Sequence, residues 1–257
     1  MRELRRTYAV SHRPFSYYAA GAFVVPFVIG QSDAVGDTLS GERQFSETRG
    51  HYWLWRNGKF SDDEFVGINQ YRRCFWFSQL VPSGHRLSEI STQLAGSGQS
   101  TVTVPRDDYV EYINLINRAD LAPLNRSLEG VDLVVNRDLQ FGYPMSRLYA
   151  QNHWVADWEV FFAVCREHGY DPGSPTWLTT HTVYVFTPAL FDEYMTDWWR
   201  VMSAVNERVP FEEHPYQHRK FGFMSEWFMT AWLLRLRPTV RVLRLPVIEG
   251  DFAEPRG

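Results

Sequence analysis

Cysteine is scarce in this sequence: Cys74 and Cys165 are the two among 257 residues. So widely separated a pair gives neither a disulfide framework nor a metal-ligand spacing, and is expected of a reduced, cytoplasmic compartment. A basic excess is lacking too. The formal net charge is −4, which speaks against a dedicated nucleic-acid binder, since such proteins carry a basic stripe. The apolar run Ala19–Ile29 contains Gly21 and Pro26 and falls short of the roughly 20 residues that span a bilayer. No cleavable signal peptide is evident. GxGxxG, GxxxxGK[ST], CxxC and GxSxG are all missing, and no internal repeat is visible, so the common dinucleotide, phosphate-loop, redox and nucleophile-elbow signatures are excluded.

What the chain has in plenty is aromatic surface. Ten Trp, 13 Tyr and 18 Phe raise the aromatic share to 16%, within 44% hydrophobic residues. That composition marks a packed globular protein of one large domain, or of a domain with a small lobe. Flat aromatic faces serve sugar and base pockets as well as cores. Near the amino end, Arg2, Arg5, Arg6 and Arg13 form a local basic cluster that could touch an anionic membrane surface.

Strand and helix patterns alternate along the chain. Arg6–Ser11 and Phe23–Ile29 read as strands, and Arg43–Trp55 as a helix closed at Asn57-Gly58. Glu64–Asn69 is a further strand, delivering Gln70-Tyr71-Arg72-Arg73. Pro82–Pro105 is Gly/Ser-rich and reads as a mobile loop or insertion. Asp107–Asn117 suits a helix, Gly130–Asn136 a strand and Pro144–Gly169 one helix, with His153 and Asp157 at i, i+4. Then follow a β-rich run Trp177–Phe186, an amphipathic helix Pro188–Val205, and a polar loop Phe211–Arg219 carrying His214 and His218. A helix Gly222–Leu236 and a last β segment Val240–Val247 complete the pattern. This order predicts an α/β fold with an open, mostly parallel sheet flanked by helices.

Two adjacent arginines at the carboxyl end of an apolar strand stand where open α/β sheets bind ligands. A guanidinium fork suits a phosphate; pairing with Asp62, Asp63 or Glu64 nearby is the bland alternative. Asp33, Asp37 and Ser40 after the second strand suit contacts to a ribose or base, or an ordinary loop. Glu226 is a lone carboxylate on a greasy helix. It is either paired, with Arg219 or a histidine, or kept for its raised basicity.

Three blocks taken together are specific: DAVGDTLS with SETRGHYWLWRN and FVGINQYRRCF, then THTVYVFTPALFDEY, then RKFGFMSEWFMTAW. They resemble a family of bacterial glycosyltransferases long catalogued as a domain of unknown function, found in capsule, lipopolysaccharide and exopolysaccharide gene clusters. Positions that fit include Asp33, Gly36, Glu47, Tyr52, Trp53, Trp55, Asn57, Gly67, Tyr71, Arg72, Arg73, Phe191, Tyr194, Arg219, Gly222 and Glu226. Gln70 stands where the family has histidine, Thr182 for asparagine, Arg56 for lysine and Trp227 for arginine.

The resemblance implies a GT-A-like, Rossmann-type sheet in one domain over 1–257, with 80–130 as a variable insertion or acceptor-side region. It implies transfer of a sugar from a nucleotide-diphosphate donor, UDP-sugar favoured, to a saccharide or lipid-linked saccharide acceptor. The setting would be cytoplasmic, at the inner face of the membrane or free of it. Folds of this kind hold a divalent metal, manganese or magnesium, on an Asp-x-Asp motif; here that strand ends without an acidic pair, and Arg72 and Arg73 are expected to take over its task. A metal is therefore allowed but not required, with Asp132 and Asp138 the carboxylates near enough for a displaced site. The remaining expectations are His12, Asp33 and Asp37 on base and ribose, Gln70, His181, Thr182 and Arg219 toward donor or acceptor, and Glu226 as base. Alternatives are a noncatalytic carbohydrate- or nucleotide-binding module of the same fold, and a transferase acting on a modified nucleobase.

Overall fold

A computed structural model describes residues 2–12, 14–15, 23–39, 41–152, 154–210, 213–214 and 219–252, without the side chains of 96 and 149–152. Arg13, Ser40, His153, His218 and part of the Ala19–Ile29 run, all singled out above, lie outside that range.

The main limb of the sheet begins with β1 (Thr7–Ser11), β2 (Val24–Val28) and β3 (Val66–Gln70). β1 lies between the other two, parallel to both, with Thr7 opposite Val24 and Gly67, and Val10 opposite Phe27 and Gln70. Pro26 is tolerated because, among the described residues, β2 pairs with β1 alone, and an edge strand loses no ladder bond to a missing N–H on its open side. Past β3 come β9 (Tyr184–Phe186), β6 (Leu133–Asn136) and β10 (Val242–Leu245). β9 is antiparallel to both of its neighbours, while β10 runs parallel to β6.

At the end of β3 the chain reverses over Tyr71-Arg72 into β4 (Arg73–Phe75), starting a second limb with β11 (Val247–Asp251) and β5 (Thr101–Pro105). The longer ladders are parallel and the antiparallel ones short, so the fold is a mixed α/β domain with a curled, mostly parallel sheet.

Period-two alternation sends successive strand residues into opposite layers. Leu133, Val135, Tyr184 and Phe186 enter one core, with α1 (Thr48–Asn57), α6 (Val155–Glu167), α7 (Pro188–Asn206) and α8 (Lys220–Leu233). Val134, Val183 and Val185 enter the other, with α2 (Ser88–Ser97), α3 (Arg106–Ile116) and α4 (Ala122–Ser127). The aromatic excess is mostly spent in the first layer. Trp158 packs edge-on against Trp227 at 4.6 Å between centroids, and Trp198 and Trp232 are buried in the same layer. Trp227, where the family pattern has arginine, is thus a core residue.

Lys220 opens α8 in this layer and is 1% exposed. Its Nζ donates to Asp157 Oδ2 at 2.8 Å and to the Pro210 carbonyl at 2.7 Å. Asp157 thereby anchors the start of α8.

Three expectations are corrected. Residues 82–105 are not a mobile loop: Leu87, Ile90 and Leu94 recur at helical spacing and are buried, and Val102 and Val104 alternate inward on β5. The helix drawn from Arg43 is a 3-10 turn, Arg43–Phe45, then α1, because Ser46 takes φ 51 between them. The helix over Pro144–Gly169 is two, α5 (Met145–Asn152) and α6, since the backbone at Trp154 is extended.

Candidate active site

β1 and β3 end side by side, and a cleft of about 510 Å³ opens beyond their carboxyl ends. Ser11, His12 and Phe15 line it from the end of β1, Glu47 from the start of α1, and Gln70–Arg73 from the β3–β4 turn. Arg106, Arg219 and Phe252 close it from the starts of α3 and α8 and the end of β11. Among the described residues four arginines line it, with Glu47 the carboxylate. Such a lining favours an anionic ligand, and the sheet topology puts it where α/β folds bind theirs.

The two central arginines differ. Arg73 opens β4 directly opposite Glu249 on β11. Its Nε and Nη2 reach Glu249 Oε1 at 2.9 and 2.8 Å, and its Nη1 donates to Gln70 Oε1 at 3.0 Å. Arg72, on the turn, is 38% exposed at its side chain and touches Glu249 through Nε at 3.5 Å. The bland pairing with Asp62, Asp63 or Glu64 is corrected: Arg5 holds Asp63 and Glu64, and Arg2 donates to the Asp62 carbonyl. Those same pairs neutralise part of the amino-terminal basic cluster.

Gln70 is a buried junction. Its Nε2 donates to Thr182 Oγ1 at 2.7 Å and to Glu47 Oε1 at 3.3 Å. Thr182 is fully buried, and His181 beside it holds a left-handed φ of 62 with Nε2 2.9 Å from Thr101 Oγ1. Burial, then the nearby charges of Arg73 and Arg72, push the His181 imidazole down to about 3. It is therefore a neutral bridge from the main limb to the second.

Glu226 is part-buried on α8 and accepts a hydrogen bond from the His181 backbone N–H. Burial pushes its carboxyl up to about 7 against the lowering influence of Arg73 and Arg219, while Glu47 adds to the rise. The pairing of Glu226 with Arg219 is not what forms. Arg219 donates from Nε to Ser46 Oγ at 3.1 Å and from Nη2 to Glu47 Oε2 at 3.4 Å. His12 Nε2 is 3.1 Å from the same Ser46 Oγ and 3.9 Å from Glu47 Oε2. Burial alone would raise Glu47, but His12, Arg219 and Ser46 outweigh it and hold its carboxyl well below the usual range.

Asp33 and Asp37 are not among the cleft residues. Asp33 is buried, accepting from the Gly30 N–H and pairing with Arg49 at 3.1 Å. Asp37 accepts from Arg56 Nε at 2.6 Å and Tyr52 Oη at 3.1 Å. Around it the loop is clasped to α1. Asn57 exchanges bonds with Asp37 N and O at 2.9 and 2.7 Å, and Trp53 Nε1 donates to the Val35 carbonyl at 2.7 Å. Gly36 has φ +91, and a Cβ there would lie 2.2 Å from Asn57 Oδ1, so a side chain would strain the backbone and displace the Asn57 amide.

The structure thus gathers His12, Gln70, Arg72, Arg73 and Arg219 at the cleft, with His181, Thr182 and Glu226 bonded behind it. Glu47, Arg106, Phe15 and Phe252 were not assigned to the site from sequence. Glu47 carried a signal, as a motif acid; the others carried none.

The residues at the end of β3 do not make an acidic metal site. Asn69, Gln70, Tyr71, Arg72 and Arg73 bring no carboxylate, and Asp132 and Asp138 are engaged by the Arg241 N–H at 2.9 Å and by Arg244 at 2.5 Å. Among the described residues no group of three or more His, Cys, Asp or Glu is placed to hold a metal ion. Nor is any described helix long and apolar enough to cross a membrane.

No curated protein matches the chain. A solved structure with the same fold is that of the WbbM bifunctional glycosyltransferase in its apo state, at a TM-score of 0.74 and 18% identity. The match covers 96% of this chain and 45% of that one, so this chain spans less than half the length of its structural relative. Residues 26–237 match the family described as a domain of unknown function, DUF4422, and the chain belongs to that family.

Proposed function

We propose that this chain is a glycosyltransferase, moving a sugar from a nucleotide-diphosphate donor, UDP-sugar favoured, to a saccharide hydroxyl. The observation that carries the reading is one arrangement: an arginine-lined cleft at the ends of β1 and β3, backed by a carboxylate of raised basicity. Arg72 and Arg219 would meet the diphosphate, and His12, near the end of β1, the nucleoside. Guanidinium groups offset the charge that develops on a departing diphosphate. Glu226 takes the proton of the acceptor hydroxyl as the glycosidic bond breaks.

Residues 1–257 would act as one transferase domain. The part of the chain between 80 and 130 would take the acceptor side, where α3 reaches the cleft through Arg106. Surface-polysaccharide assembly at the inner face of the membrane is the setting that suits a lipid-linked acceptor.

The test is release of UDP from UDP-sugars in the presence of saccharide acceptors, with and without excess EDTA. Turnover within about twofold of the untreated rate is expected, because guanidinium groups rather than a metal carry the diphosphate charge. Abolition by EDTA, with rescue by manganese or magnesium, would overturn the arginine assignment. No turnover with any donor would return the chain to a binding module.

The two adjacent arginines should separate experimentally. Arg72→Ala is expected to weaken UDP binding by on the order of 1.5–3 kcal/mol, the value of a charge-assisted contact, with little change in melting. Arg73→Ala strands Glu249 and Gln70 and should cost about 1–3 kcal/mol of stability besides. Calorimetric titration and thermal melts of both variants decide; equal melting of the two would refute the distinction.

A further inference from the structure

We propose that Glu47 is a positioning residue of this site: its carboxylate holds Arg219 and Gln70 on two walls of the cleft and acts on Glu226 through like charge. The proposal deepens the transferase reading and rests on it for the meaning of the cleft.

Glu47 is 9% exposed, yet it lines the cleft. Its Oε1 accepts from Gln70 at 3.3 Å; its Oε2 accepts from the Ser46 hydroxyl and from Arg219 at 3.4 Å. Those partners come from the end of β3, the left-handed turn before α1 and the start of α8, so one carboxylate joins three segments far apart in sequence. Its place at the start of α1 also sets a negative charge at the positive end of the helix dipole.

The link to Glu226 runs along α8. A Cβ at Gly222 would lie 3.3 and 3.4 Å from the two Glu47 oxygens, so the carboxylate rests on that helix face. Glu226 is four residues on, and i, i+4 positions share a face with Cβ atoms about 6 Å apart. Two carboxylates on one helix face in a sheltered site do not ionise independently: the better-bonded one keeps the charge and the other retains a proton to higher pH. Glu47 has the cationic and hydroxyl partners. Glu226 faces Arg73 from β4, Arg219 from its own helix, the His181 amide and Tyr184 from β9. The arginines and the amide favour its ionised form, leaving Glu47 as the opposing charge.

The experiment follows the carboxyl carbon signal of Glu226 in protein labelled with carbon-13 at glutamate, assigned by its loss in Glu226→Gln, alongside UDP titration. In the wild type the midpoint is expected near 7; in Glu47→Gln it should fall by on the order of one pH unit. Glu47→Asp keeps the charge but shortens the reach. It should keep the midpoint and weaken UDP binding about tenfold. An unmoved midpoint in Glu47→Gln overturns the like-charge action, and unchanged UDP affinity in Glu47→Asp overturns the positioning. If Glu47→Gln does not fold, Glu47→Asp decides alone: its midpoint must hold while its affinity falls. A wild type that binds no UDP defeats the donor reading, while the midpoint comparison stands by itself, so the two failures are told apart.

Discussion

Glu226→Gln is expected to lower turnover by about a hundredfold or more while UDP binding stays within a few-fold of wild type. Glutamine keeps the shape and can still accept the His181 N–H, but it cannot take a proton from a hydroxyl. The acceptor is a weak nucleophile, and a carboxylate with a pKa near the working pH is the efficient partner for it. The pH behaviour follows from the value of about 7. The base must be ionised, so wild-type turnover should rise as pH passes up through about 7 and be lost below it.

Stability runs the other way. A carboxyl whose folded pKa lies above its unfolded value binds more protons folded than unfolded between the two, so ionising it works against the fold. Glu226→Gln removes that charge. The variant should melt no lower than wild type at pH 8, and its advantage should shrink toward pH 4.5, the ordinary value. Normal turnover in Glu226→Gln would mean that another group is the base or that the reaction retains configuration.

The second large effect is one of stability. Lys220→Ala leaves the Asp157 carboxylate and the Pro210 carbonyl without their shared donor in a buried site. Breaking a buried ion pair from one side costs about 3–5 kcal/mol. In a chain of this size that is roughly 6–20 °C in melting temperature. Replacing both partners with apolar residues, as in Lys220→Met with Asp157→Leu, should recover most of the loss, because neither charge is then stranded. Thermal melts of the single and double variants check this. A Lys220→Ala protein melting within about 2 °C of wild type would mean that the pair contributes nothing in this layer.

How much of this was legible beforehand follows from the range of the interactions involved. β1, β2, β3 and α7 announce themselves through local periodicity, which one short window contains. The helix α2 did not, because its inward residues Leu87, Ile90 and Leu94 are scattered among Ser and Gly that composition alone assigns to a loop. In Trp177–Phe186 the apolar run hides a break: His181 turns left-handed, so β8 (Trp177–Leu178) and β9 enter different sheets. The site was half visible. Strand ends mark Gln70, Arg72 and Arg73, but the groups that decide how those side chains stand come from far away. Glu249 lies 176 residues from Arg73, and Glu47 172 residues from Arg219. No local pattern announces a cross-strand partner on β11 or a shared carboxylate between α1 and α8.

The clasp between the 30–42 loop and α1 bears on how such chains are identified. Gly36, Tyr52, Trp53 and Asn57 account for much of the signature by which the sequence is recognised, yet with Asp37 and Arg56 they tie a loop to a helix away from the cleft. A descendant that had lost its chemistry would keep those letters, because losing them would loosen the fold. Membership in the family is therefore a statement about architecture. Under the proposed mechanism turnover would rest on 47, 72, 219 and 226 instead, so those four positions, and not the signature, are where a loss of chemistry would be read.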